Sequence, residues 1–117
     1  YFLGSVTAYS NESKCHILGV NPVSIRAHGA VSLEVAEEMA RGVRNRFGAD
    51  VSVATTGIAG PSGGSAEKPV GTLWIAVATE QTVRSQRLLL GEHRGRNIQR
   101  GAIAALFMLR KELMLLT

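Results

Sequence analysis

Apolar residues recur at three- and four-residue intervals in two long stretches, which is the spacing of an amphipathic helix. The first stretch begins after Ser32, a typical N-cap residue, and ends at Gly48. Acidic residues lie near its start and arginines near its end, where the helix dipole favours each. The second stretch begins between Arg94 and Asn97 and continues almost to the last residue. We predict a long helix in each stretch.

Two shorter helices are predicted from the residues at their ends. Ser10 and Asn11 provide the N-cap of a helix that runs to about Leu18, where a glycine supplies the stop. Asn21 and the proline after it begin a second helical segment, which ends at Gly29.

Four runs of β-forming or apolar residues predict strands, at 4–9, 51–55, 72–79 and 83–90. Three residues join the last two runs, as in an antiparallel hairpin. Helices that alternate with apolar strands are typical of an α/β domain. We therefore predict a mixed sheet covered by helices.

Length and composition restrict the class of protein. The chain has 117 residues, which fits one domain over 1–117, and 45% of them are hydrophobic. The single cysteine, Cys15, allows no internal disulfide and favours a reducing, cytoplasmic setting. No apolar run approaches the roughly 20 residues needed to span a bilayer. The three histidines lack metal-ligand spacing, so we expect no metal and no cofactor.

Arginines are concentrated in one segment of a chain whose formal net charge is +4. Positions 84 to 100 contain five arginines and one acid, Glu92. Paired guanidinium donors are suited to binding phosphate, so one interpretation is an anion site. The alternative interpretation is that these arginines lie on a solvated strand and at a solvated helix start. The chain has one Trp, two Tyr and three Phe, and none lies in this segment. Binding of nucleic acid by base stacking therefore has little support.

A glycine-rich loop is predicted from Gly57 to Gly71, between two apolar strands. Glycine permits tight turns and a close backbone approach to a ligand, and free amides in such turns bind anions. The spacing matches neither the phosphate loop nor the dinucleotide fingerprint. The two interpretations are a ligand-binding loop and a long, turn-rich connection.

The junction from Tyr9 to Lys14 is the second candidate for chemistry, because strand-to-helix junctions often carry catalytic groups in α/β domains. Lys14, one turn into the helix, is placed to reach back over the helix start. The positive helix end and burial both disfavour an ammonium there, and a neutral lysine serves as a general base. The alternative is a solvated lysine paired with Glu12 or another acid.

Three stretches of the chain resemble the C-terminal domain family of the competence/damage-inducible CinA proteins, which includes nicotinamide-nucleotide amidases. They are VTAYSNESK at 6–14, LGV at 18–20 with AHGAVS at 27–32, and TGIAGPSGGSAEKPVGTLWIA at 56–76. The last is long and highly specific, and the match weakens after Leu90. The resemblance implies a three-layer α/β/α domain. It also implies hydrolysis of the carboxamide of nicotinamide mononucleotide, which yields nicotinate mononucleotide and ammonia.

The resemblance implies roles for particular residues. Lys14 corresponds to the family's catalytic base, and Tyr9 to a tyrosine that lines the site. Backbone amides of the loop are expected to bind substrate or an oxyanion, and the arginines after Gly91 to bind the 5′-phosphate. The predicted substrate-binding residues are Ser10, Asn11, Thr56, Gly57, Ile58, Ala59, Gly60, Arg94, Arg96 and Arg100.

Two features depart from the family pattern. The family's serine nucleophile lies upstream, in a Glu-Ser-Cys-Thr-Gly-Gly motif that these residues do not contain. We therefore expect a domain without its first helix and strand, inactive alone and, as in the family, homo-oligomeric. The turn at 91–96 matches loosely, so the choice of phosphate-binding arginine stays open. A non-catalytic pyridine-nucleotide-binding domain and a module associated with DNA uptake or damage are the alternative functions.

Overall fold

A computed structural model describes residues 1–116 of the chain. The elements it contains, in chain order, are α1 (Asn11–Leu18), α2 (Pro22–His28), α3 (Leu33–Phe47), β1 (Ser52–Gly57), β2 (Thr72–Ala78), β3 (Val83–Leu89) and α4 (Arg94–Leu115). All four predicted helices are therefore confirmed, as are the three strands predicted after residue 50.

Capping residues explain why the ends of α1 and α3 could be predicted from the sequence. Ser10 and Ser32 each accept a hydrogen bond from the backbone N–H three residues further on, at 3.0 and 3.3 Å. Gly19 and Gly48 end α1 and α3 with φ of 71° and 63°, a left-handed conformation that side chains with a Cβ seldom adopt.

The sheet has the order β1-β2-β3, and both pairs are antiparallel. The hairpin between β2 and β3 is as predicted. The sequence predicted a mixed sheet, but every strand pair of the described residues is antiparallel. Parallel pairing needs a crossover connection, and here a loop and a tight hairpin join the strands directly.

Residues 4–9, predicted as a strand, form none. A strand requires a neighbour that completes its ladder, and within residues 1–116 no strand pairs with this segment. Val6 and Ala8 instead pack against a core cluster that contains Leu18 and Val35. The apolar side chains of this segment are thus packed against the core without any strand pairing.

Helices cover both faces of the sheet. On one face, Ala36 and Ala40 of α3 pack against small residues of β2. On the opposite face, α4 packs Gly101 beside Leu73, and its Glu112 forms an ion pair with Arg84 of β3 at 3.0 Å. The α/β class is confirmed, with three layers in the order α, β, α.

The outer side of α4 carries exposed apolar side chains. Ile103, Leu106 and Phe107 are between 51% and 67% exposed. Charged residues are interspersed along the same helix. Across residues 1–116, no helix is long and apolar enough to cross a membrane.

Candidate functional site

The start of α1 is organised by Ser10, its N-cap. The Ser10 hydroxyl accepts from the Ser13 N–H at 3.0 Å and donates to the Ser13 hydroxyl at 2.9 Å. The cap satisfies a backbone donor that the first helical turn leaves without an intrahelical partner. A capping role for Ser10 is therefore seen directly, while its contact with substrate stays a prediction.

Lys14 lies one turn into α1 and is buried, with 8% of its surface exposed. Its Nζ donates a hydrogen bond to the carbonyl oxygen of Ala8 at 3.1 Å. The side chain therefore turns back past the helix start, as the sequence suggested. Among the described residues no carboxylate forms an ion pair with Lys14, so the alternative of a solvated lysine paired with Glu12 is wrong.

Tyr9 and Asn11 flank the cap and are exposed. Tyr9 is 94% exposed, and no described residue forms a hydrogen bond with its side chain. An exposed phenol beside a buried amine is free to contact a ligand placed over the helix start. The predicted roles of Tyr9 and Asn11 in the site stay predictions.

The glycine-rich loop continues the β1–β2 pairing for a short distance before it opens. The Ile58 N–H donates to the Thr72 carbonyl at 2.9 Å, and the Gly71 N–H donates to the Ile58 carbonyl at 2.7 Å. Gly71 has a φ of 93° and lies so close to Gly91 that a Cβ there would sit 2.4 Å from the Gly91 carbonyl oxygen. The base of the loop is thus fixed by backbone contacts.

Two side chains fasten the loop region to the turn between α2 and α3. The Thr56 hydroxyl, 7% exposed as a residue, donates to the Ala30 carbonyl at 2.8 Å. The Lys68 ammonium donates to the carbonyl of His28, the last residue of α2. Thr56, predicted to bind substrate, therefore holds the end of β1 against this turn.

Arg94 fastens the loop from the other side. Its Nη1 donates to the carbonyl of Gly60 at 2.9 Å, and the peptide bond between Gly60 and Pro61 is cis. Two residues predicted to bind substrate are therefore in direct contact with each other. Arg94 uses at least one of its donors within the protein.

Asn97 was missed by the sequence reasoning. It is 4% exposed, and its side-chain amide bonds both the loop and the turn before α4. Its Nδ2 donates to the carbonyls of Ala59 at 3.0 Å and Gly91 at 2.7 Å, and its Oδ1 accepts from the Gly91 N–H at 2.9 Å. Its position in the sequence could have indicated its burial. Asn97, Gly101 and Ala105 follow one another at four-residue intervals and lie on the buried face of α4.

Arg96 and Arg100 stand one turn apart on α4 and are both exposed. No side-chain hydrogen bond or ion pair to another described residue occupies either guanidinium. Residues four apart share one side of a helix, so the two cations are placed to act on the same anion. They are the predicted phosphate ligands that the fold leaves available.

A mostly apolar cavity of about 300 Å³ lies between the loop and α4. That volume is at the lower end of small-molecule sites, which span roughly 300–1,000 Å³. Its walls include Ile58, Ala59, Leu73, Leu90, Ile98 and Ala102, and Asn97 contributes a polar group. The surroundings suit a flat apolar ring.

The predicted site residues fall into two groups. One is the helix start at 9–14, and the other is the loop at 56–60 with the first turns of α4. Within residues 1–116, no hydrogen bond or ion pair joins the first group to the second. A reaction that uses both groups requires a substrate that contacts both.

His93 caps α4, since its Nδ1 accepts from the Arg96 N–H at 3.1 Å. His28 lies 3.6 Å from a Glu34 carboxylate oxygen. His93 therefore has a structural role at the start of α4. The described part of the chain holds no group of three or more His, Cys, Asp or Glu side chains arranged for a metal ion.

Comparison with known proteins agrees with this arrangement. Residues 1–113 match the CinA C-terminal domain family. The chain belongs to this family. A CinA-like protein of Amoebophilus asiaticus is 50% identical over 113 residues, and one of Gemmatimonas aurantiaca is 53% identical over 108 residues. These matches cover 97% and 92% of the chain.

Solved structures of the family have the same fold. The competence/damage inducible protein CihA from Agrobacterium tumefaciens superposes with a TM-score of 0.86 at 39% identity, over 89% of this chain. The competence damage-inducible protein A (ComA) from Klebsiella pneumoniae gives 0.85 at 30% identity, over 91%. The matched part is 64% and 66% of those chains, and 27% of the Amoebophilus relative. The chain is thus similar to one part of longer proteins.

Proposed function

We propose that this CinA-family domain belongs to an amidase that hydrolyses nicotinamide mononucleotide to nicotinate mononucleotide and ammonia. The observation that carries the proposal is Lys14, a buried amine at the start of α1 whose only hydrogen bond to a described residue goes to a backbone carbonyl. No carboxylate of a described residue forms an ion pair with this amine. Membership of a family that includes nicotinamide-nucleotide amidases supports the substrate.

The chemistry of amide hydrolysis explains why such an amine is needed. An amide carbon is a poor electrophile, so attack requires a hydroxyl that loses its proton as the new bond forms. In the proposal, Lys14 receives that proton and passes it to the departing nitrogen, which leaves as ammonia. The hydroxyl belongs to the serine motif that the resemblance places upstream of these residues. Loss of ammonia leaves the acyl group on this serine as an ester, and a water molecule then hydrolyses the ester to release nicotinate mononucleotide. Tyr9 borders the same helix start.

The loop and α4 are proposed to bind the rest of the substrate. Arg96 and Arg100 bind the 5′-phosphate, because their guanidinium groups are exposed and carry no partner among the described residues. Arg94 contributes by holding the loop at Gly60.

This assignment predicts a preference for the phosphorylated substrate. Nicotinamide riboside, which lacks the phosphate, should have a far lower kcat/KM than the mononucleotide. In the double variant Arg96→Gln/Arg100→Gln the difference should shrink by about tenfold or more, since charge-assisted hydrogen bonds contribute roughly 1.5–3 kcal/mol each. Ammonia release from both substrates measures it.

Arg110→Gln supplies the matched control, because it removes an exposed arginine further along the same helix. It should leave the ratio of the two substrates unchanged. Equal use of riboside and mononucleotide by the wild-type protein would rule out the phosphate site. So would a double variant that loses activity on both substrates to the same extent.

A domain that binds the pyridine nucleotide without catalysis is the second candidate. The exposed guanidinium pair of Arg96 and Arg100 supports it as well, because it does not depend on Lys14. Binding of nicotinamide mononucleotide by the full-length protein, without ammonia release, would favour this function over the amidase.

A further inference from the structure

Asn97 joins three backbone groups from two separate segments. Its Nδ2 bonds the carbonyls of Ala59 and Gly91, and its Oδ1 bonds the Gly91 N–H, at 2.7–3.0 Å. A primary amide has two N–H donors and one carbonyl acceptor, and all three of these bonds are made in a position that is 4% exposed. The side chain is therefore locked in one orientation, and it locks the Ala59 carbonyl with it.

Fixing the Ala59 carbonyl also fixes the backbone N–H of Gly60, because the two groups belong to the same peptide unit. The peptide unit is planar, and in the trans form its C=O and N–H point in opposite directions. The Ala59–Gly60 bond is trans, since the cis bond is the following one, to Pro61. With the Ala59 oxygen directed at Asn97, the Gly60 N–H points to the other side of the loop, away from α4.

The Gly60 N–H has no acceptor among the described residues, although Gly60 is buried. Buried backbone N–H groups are nearly always paired, and an orphan donor is rare. A donor held rigidly without an internal partner is what a site for an oxygen acceptor requires. The guanidinium groups assigned to the phosphate are on α4, so this donor, which points away from α4, is left for the carboxamide end of the substrate.

We propose that Asn97 is a positioning residue that aims the Gly60 N–H at the carboxamide oxygen of the substrate. The inference rests on the proposed amidase function. As the hydroxyl adds to the amide carbon, the carbonyl electron pair moves onto this oxygen, and the Gly60 N–H stabilises the negative charge that develops. Asn97 does not touch the substrate; it acts through the Ala59–Gly60 peptide.

The test is Asn97→Asp in the full-length protein. Aspartate has nearly the same shape and still accepts from the Gly91 N–H, but it presents an oxygen where Nδ2 donated to two carbonyls. The peptide should then turn away from its position. We expect kcat for ammonia release to fall by roughly 10²-fold, the scale for loss of one oxyanion donor, with KM changed much less.

Glu112→Gln is the control for a merely structural effect. It weakens the ion pair with Arg84 at the far end of the same helix and touches no part of the loop. This variant should lose thermal stability and keep its kcat at a temperature where it is folded. A kcat for Asn97→Asp equal to that of Glu112→Gln would overturn the inference, as would a loss that appears in KM alone.

A second readout follows the Gly60 amide itself. Nicotinate mononucleotide carries a carboxylate where the substrate has its carboxamide. Titration with it should move the Gly60 amide proton downfield in the NMR spectrum of the wild-type protein but not in that of Asn97→Asp. If the Gly60 signal does not move in a wild-type protein that is active, the inference about Asn97 is overturned but the amidase function is not. A folded wild-type protein that releases no ammonia would instead overturn the amidase function, and the inference with it.

Discussion

Lys14→Met in the full-length protein is expected to slow ammonia release from nicotinamide mononucleotide by ~10²–10⁴-fold, the usual contribution of a positioned acid–base group. Methionine keeps the unbranched, apolar part of the buried side chain and removes only the amine. The amine makes one hydrogen bond to a described residue, the 3.1 Å bond to Ala8, so the fold should persist with a modest loss of stability. Initial rates with saturating substrate measure the effect.

Lys111→Met is the matched control, since it removes one positive charge from an exposed position of α4. It should retain wild-type turnover. Thermal unfolding of both variants separates lost chemistry from lost structure. A Lys14→Met protein that is folded and turns over within a few-fold of wild type would remove Lys14 from the mechanism.

Gly42→Ala is expected to produce the largest loss of stability. Gly42 lies inside α3 where α1 ends against it, and a Cβ there would sit 1.7 Å from the carbonyl oxygen of Leu18. Backbone atoms cannot move aside as a side chain does, so α1 must separate from α3. Overpacking typically costs 1–3 kcal/mol and occasionally more. With an unfolding entropy of about 2.1 cal/mol/K per residue, a loss of about 3 kcal/mol lowers the melting temperature of this domain by roughly 12 °C.

The same substitution at Gly95 tests whether space decides the outcome. Gly95 lies in the first turn of α4, where a Cβ would meet only the His93 side chain, at 3.2 Å. Alanine there should be neutral or slightly stabilising, because alanine favours helix over glycine by about 1 kcal/mol. A Gly42→Ala protein as stable as Gly95→Ala would contradict the close contact between α1 and α3.

Local rules explain why the helices were predictable. Ser10, Ser32 and Gly48 act within a few residues of their own positions, so their effect can be read from neighbouring sequence. The hairpin between β2 and β3 is equally local, because three residues separate the predicted runs. The direction of the Lys14 side chain was also predictable from nearby residues, since its hydrogen-bond acceptor, the Ala8 carbonyl, lies six residues away.

The features that could not be predicted from the sequence depend on contacts between residues that are far apart in the chain. Whether residues 4–9 form a strand depends on a neighbouring strand, which composition does not reveal. Arg94 and Asn97 reach loop carbonyls 34 and 38 residues away, so their contacts follow from how α4 packs against the loop. A patch of arginines predicted an anion site, but only the fold separates Arg94, which holds the loop, from Arg96 and Arg100.

Several expectations stay predictions. They are the extent of one domain over 1–117, the cytoplasmic location, the homo-oligomer and the upstream serine motif. The roles of Tyr9, Ser10 and Asn11 toward substrate belong with them. None of them follows from the contacts made within residues 1–116.

The most direct test of the amidase proposal is ammonia release from nicotinamide mononucleotide by the full-length protein, with nicotinate mononucleotide quantified in the same samples. The account predicts that the two products appear in equal amounts and that Lys14→Met abolishes most of both. A folded wild-type protein that binds the mononucleotide and forms neither product would contradict it.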